Sequence, residues 1–198
     1  MSDKIIFLDV ETGGLSPETD ALLEIGAVFV EDNNIVGEYS QLIIPSDDLK
    51  IHETALRVNK LNIEDIHCTG RFEDEVLVDF LAEANKYNMV NAKIAGWNVS
   101  FDVEFLKNLF KRCSVIYPFS YRTLDVQSIW YFYNQTIVKS SYQSLSDVSN
   151  LLCGVKTEHR AFSDALATFN IYKHMLNNSQ EDRVQKQREL YLKSFKNE

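Results

Sequence analysis

The sequence predicts an α/β layer fold built on a mixed sheet, and three observations carry that expectation. Three apolar runs rich in Ile, Leu and Val follow one another near the start, with turn chemistry between the last two. Beyond them, stretches with apolar residues at helical spacing alternate with short apolar runs. The chain's 198 residues are enough to bury one core without disulfide or metal staples. Strands in succession make an antiparallel meander, and the later alternation adds the crossovers of a mixed sheet.

Residues 4–10 are short, apolar and rich in Ile and Val, the pattern of a strand buried on both faces. Residues 22–30 and 35–44 form the next two strands, joined around Asp32-Asn33-Asn34, a hairpin turn. Residues 53–61 make a short helix. Residues 73–87 make a longer one, with Val76, Leu77, Phe80, Leu81 and Ala84 on one face. Residues 93–97 return to strand. Ser100 is the expected N-cap of a helix whose buried stripe is Phe101, Phe105, Leu106, Leu109 and Phe110. Residues 123–126 are a fifth strand and lead into Trp130-Tyr131-Phe132-Tyr133. That aromatic run suits a core, a partner surface or a stacking platform for single strands. Helices follow over 145–152 and 161–176. From Asn177 the chain turns polar, so a domain over 1–176 carries a charged tail over 177–198, helical near 181–192.

Composition is that of a globular protein, 45% hydrophobic and 25% charged, with no apolar stretch near the ~20 residues that span a bilayer. No signal pattern opens the chain, and no membrane contact is expected. Cys68, Cys113 and Cys153 lack metal-ligand spacing and read as reduced, core-filling thiols of a cytoplasmic protein. The net charge of -9 opposes broad contact with phosphate, yet it is unevenly spread. Residues 1–85 hold 19 acidic and 5 basic side chains, whereas residues 86–176 hold 6 and 10. Such a chain suits gripping a few terminal nucleotides better than coating long duplex.

Five residues in three clusters carry the chemistry. Asp9 and Glu11 end the first strand and share a face, because alternate strand residues point the same way. Two acids at a strand end are ordinary surface by themselves. Here a buried strand precedes them and Thr12-Gly13-Gly14-Leu15 follows, with glycines that let backbone approach a ligand. Asp102 lies in the first turn of a helix, where a negative charge also suits the dipole. Asp164 stands beside the apolar stripe of Ala161, Phe162, Ala165, Leu166 and Phe169 and needs a partner there. His159, on the entering loop, is the natural base near neutral pH. Four carboxylates and one imidazole suit a site for two hard divalent ions that activates a water.

These stretches resemble the DEDD superfamily of 3′-to-5′ exonucleases, in the subgroup whose third motif carries His five residues before Asp. Phe7-Leu8-Asp9-Val10-Glu11-Thr12-Gly13-Gly14-Leu15, with the acid-and-apolar run to Val28, resembles the first motif. The run from Asn98 to Leu106 resembles the second, and His159 to Ala165 the third. Shorter pieces from Ala55-Leu56 to Asn59, at Thr123-Leu124-Asp125 and at Ser144-Leu145 fall in the same order, so the likeness covers residues 4–176.

The resemblance implies an RNase H-like fold, a five-stranded mixed sheet flanked by helices. It implies a 3′-to-5′ exonuclease releasing nucleoside 5′-monophosphates from single-stranded 3′ ends. Asp9, Glu11, Asp102 and Asp164 would hold two Mg²⁺ or Mn²⁺ ions, with His159 as general base. Thr12, Leu15, Asn98 and Phe101 would bind the terminal nucleotide, although cap and core roles suit Asn98 and Phe101 as well. Trp97 stands where the second motif usually has His. Thr54 and Val58 replace the acid and aromatic of ribonuclease T-like members. DNA and RNA both stay open as substrate. A catalytically silent nucleic-acid-binding or polymerase-associated module is the competing class, disfavoured because all five site positions carry functional residue types. The tail leaves open a polymerase or a second copy of the chain as partner.

Overall fold

The computed structural model describes residues 3–157 and 159–194, with side chains through residue 178. Strands β1 (Lys4–Thr12), β2 (Leu22–Glu31) and β3 (Asn34–Ile44) form the expected meander. Asp32 and Asn33 connect the last two with left-handed backbones (φ 49° and 64°), the geometry a two-residue hairpin demands. Helices α1 (Glu53–Asn59) and α2 (Ile63–Thr69) follow, then the two-residue strand β4 (Arg71–Phe72) and helix α3 (Glu73–Lys86). Strand β5 (Lys93–Gly96), helix α4 (Val99–Arg112) and strand β6 (Thr123–Asp125) complete the sheet. Helix α5 (Val126–Tyr133) runs into a π-helical turn over Asn134–Val138, and α6 (Leu145–Cys153) and α7 (Ala161–Ser194) end the fold.

The sheet order is β4-β3-β2-β1-β5-β6, six strands where five were expected. β4 was missed because two residues carry no periodicity. The other unanticipated element, α2, is started by the Asn62 side chain, which accepts the Glu64 N–H at 3.0 Å. Helix α4 is not capped by Ser100. It begins after Asn98, whose left-handed backbone turns the chain sharply out of β5, so Ser100 already lies inside the helix. Of the thiols expected to fill the core, Cys113 and Cys153 are half-buried and pack against the two cores, whereas Cys68 is exposed on α2.

β1 is flanked on one side by antiparallel β2 and on the other by parallel β5. Its alternate residues build two cores. Ile6, Leu8 and Val10 pack with α3 and α4, while Ile5 and Phe7 pack with α5, α6 and α7. Trp130 and Tyr133 are buried in the second core, and Tyr131 and Phe132 face outward. Helix α7 is one element across the expected boundary at residue 176, and the last four residues of the tail lie outside the described ones. Among the described residues, no helix is long and apolar enough to cross a membrane.

Candidate active site

Strand β1 puts Asp9 and Glu11 on the face covered by α7, because they continue the alternation of Ile5 and Phe7. Two further elements close on them. Gly26 on β2 sits opposite Asp9, and a side chain there would run into the backbone of Ala161 and Phe162. Helix α7 therefore lies directly on the sheet, which carries Asp164 to the pair. Oxygens of Asp9, Glu11 and Asp164 lie within 4.8 Å of one another. Asp102 arrives from the other side of the strand. β5 pairs with β1 only as far as Phe7, and beyond that point the Val10 N–H donates to Asp102 Oδ1 at 3.1 Å.

The electrostatics are those of carboxylates crowded away from water. Burial, and then the charges of Asp102, Asp164 and Glu11, hold Asp9 well above the usual carboxylate range. Glu11 is pushed up to about 8, first by burial and then by Asp164, with Arg160 opposing. Asp102 also rises to about 8 through burial, although the bond from Val10 pulls the other way. Asp164 rises to about 6 through burial, moderated by the charge of His159 and a bond from Thr157. Its Oδ1 is buried and has no hydrogen-bond partner among the described residues. Clustered acids with an orphaned oxygen fit a divalent cation, which supplies charge and coordination together.

His159 sits on the loop before α7, exposed and with a left-handed backbone at φ 57°. The next residue, Arg160, anchors that loop. Its guanidinium makes a paired contact with Glu24, at 3.0 and 2.9 Å, and Glu24 is only 1% exposed. Glu24 is the Cα partner of Glu11 on β2, so one buried acid ties the third motif to the first. Sequence reasoning did not single out Glu24. The available signal was an acid inside an otherwise apolar strand, a position that demands a partner.

A cavity of about 540 Å³ opens beside Glu11. Leu15, 84% exposed, and Phe101, half-buried against Phe105, form apolar parts of its wall. Thr12 lines it too, with its hydroxyl donating to the Gly14 carbonyl at 2.7 Å. Asn98 is exposed, is absent from the lining, and donates its backbone N–H to Asp125 Oδ1 at 3.1 Å. Three lining residues received no role from the sequence: Asn59, whose side chain donates to the Thr12 carbonyl, and the pair Asp20 and His52.

Residues 6–172 match the model of the RNase_T family, described as exonuclease. The chain is 30% identical over 169 residues to a PolC-type DNA polymerase III of Thermotoga petrophila, covering 84% of this chain and 11% of that one. It is 26% identical over 168 residues to the DNA polymerase III subunit epsilon of Treponema pallidum, covering 85% and 74%. The chain thus spans a small part of the PolC-type relative and about three quarters of the epsilon relative. Among solved structures, E. coli exonuclease I with a bound oligonucleotide superposes with a TM-score of 0.76 at 18% identity. That match covers 91% of this chain and 42% of the other.

Proposed function

The chain belongs to the RNase_T exonuclease family, within the DEDD superfamily, and from that premise we propose that it is a metal-dependent 3′-to-5′ exonuclease on single-stranded ends. The observation that carries this reading is the gathering of Asp9, Glu11 and Asp164 beside a cavity of nucleotide size, with Asp164 Oδ1 left unpaired. Asp9, Glu11, Asp102 and Asp164 would hold two Mg²⁺ or Mn²⁺ ions, which would supply Lewis acidity toward the phosphate and the attacking water. His159, on its tethered loop, takes the proton from that water. Leu15 and Phe101 pack on the terminal base, and Thr12 holds the loop that positions Leu15. Release of nucleoside 5′-monophosphates follows from attack at the last phosphodiester. The epsilon and PolC-type relatives favour a polymerase as partner and DNA as substrate.

The test offers end-labelled single-stranded DNA and RNA with Mn²⁺, each with a free or blocked 3′ end, and circular single strands. Mononucleotides should appear only from free 3′ ends, and a chelator should abolish them. Comparable cleavage of circles would instead make the enzyme an endonuclease. His159→Ala should lose about 10²–10⁴-fold in turnover while keeping metal affinity, the usual contribution of a general base. Wild-type turnover in that variant at pH 7 would remove His159 from the chemistry.

A further inference from the structure

Three of the polar side chains on the wall of the cavity are already engaged in hydrogen bonds. Thr12 donates to Gly14, and Asn59 donates to the Thr12 carbonyl at 2.9 Å. Asp20, 5% exposed, accepts the Ser16 N–H at 2.9 Å and the Thr19 hydroxyl at 3.2 Å. His52 differs. Its Nε2 stands 3.4 Å from Asp20 Oδ1, and its side chain remains 53% exposed at the cavity. Among the described residues its Nδ1 makes no hydrogen bond.

The backbone under this ring is fixed to the loop that follows Glu11. The His52 N–H donates to the Gly13 carbonyl at 2.8 Å, and the Gly13 N–H donates to Ala21 at 2.7 Å. Lys50 exchanges bonds with the same segment, donating to Thr19 and accepting from Ala21, both at 2.9 Å. A side chain on Gly14 would come within 2.7 Å of His52 Cδ2 and would strike Asp20. The ring is therefore seated over a glycine, one step from Leu15, with one nitrogen turned to a buried acid. The contact with Asp20 accounts for the ring's orientation, but neither for its position at the cavity nor for the glycine beneath it.

We propose that His52, oriented by Asp20, reads the base of the 3′-terminal nucleotide, presenting Nδ1 to the base edge. The inference rests on the cavity being the pocket for that nucleotide. With an N–H on Nε2, which faces Asp20 Oδ1 at 3.4 Å, Nδ1 is left as an acceptor. It ranks terminal bases by the amino or imino N–H they turn toward it, while Leu15 and Phe101 hold any base by its face. His52 is thus a binding residue that sets preference and has no part in the bond-breaking step.

The test pairs kinetics with direct binding. Oligonucleotides differing only in the last base give KM and kcat for wild type, His52→Ala and His52→Asn. The four nucleoside 5′-monophosphates are titrated separately with Mg²⁺ while the His52 ring is followed by NMR. His52→Ala should raise KM about 3–10-fold for the preferred base, as loss of one hydrogen bond does, with kcat within about twofold. The spread among the four bases should narrow, and His52→Asn, which keeps a polar atom near the place of Nδ1, should restore part of it. Unchanged KM values with an unmoved ring resonance overturn the inference, even if the variant melts earlier. A wild type that shortens no 3′ end overturns the exonuclease reading instead. The nucleotide titration then judges His52 alone: a shifted ring supports the inference and an unshifted one ends it.

Discussion

Glu11 and Asp102, both pushed up to about 8, keep a proton in the folded chain that an unfolded carboxyl gives up near pH ~4. Their folded pKa lies above the unfolded value, so the protonated form adds stability that is complete below about pH 4. That contribution is lost as pH rises through about 8, the region where the folded groups finally ionise. In chelator, melting temperature should therefore fall between about pH 5 and pH 8. Saturating Mn²⁺ should remove most of the fall, because the ion replaces the protons, and metal affinity should climb over the same interval. Glu11→Gln should flatten the profile measured in chelator. A wild-type melting temperature independent of pH in chelator would contradict the crowding of these acids. Asp9, Glu11 and Asp164, which the fold gathers, stood out in the sequence by their apolar surroundings, whereas Asp102 fits an ordinary helix start and stood out only through the resemblance of its motif. The pocket roles of Asp20, His52 and Asn59 did not stand out, since an isolated polar residue in a loop or short helix carries no periodic signal.

At the level of elements, the meander and the long helices were readable because their periodicity runs for ten residues or so, as in the ten of β2. Two short pieces were not: β4 has only two residues, and the start of α2 rests on the single side chain of Asn62. The join between β2 and α7 needed three dimensions, because Glu24 and Arg160 lie 136 residues apart in the chain. Their pairing should be asymmetric under mutation. Arg160→Ala strands a 1% exposed carboxylate and should cost about 3–5 kcal/mol, whereas Glu24→Gln leaves a half-exposed guanidinium and should cost less. Chemical denaturation of the two variants checks the order. Equal losses would mean that Glu24 finds water or another donor once Arg160 is gone.

Over the whole molecule, charge sets how the chain meets nucleic acid. With a net charge of -9, only the few phosphates nearest the site can be neutralised by protein cations. A single strand contributes about 0.7 to the salt slope per phosphate contacted. The logarithm of affinity plotted against the logarithm of salt should therefore fall with a slope of about -1 to -3, measured with Ca²⁺ to prevent turnover. A slope steeper than about -5 would reveal a longer track of contacts across the surface. The order of the site residues along the chain has a consequence in time. Asp9 lies on the first strand and Asp164 on the last helix, so 155 residues separate two groups that share one cluster. Synthesis at about 5–20 residues per second leaves the first motif waiting roughly 8–30 seconds for the third. During that wait the carboxylate cluster lacks Asp164, so the proposed centre cannot assemble on an unfinished chain.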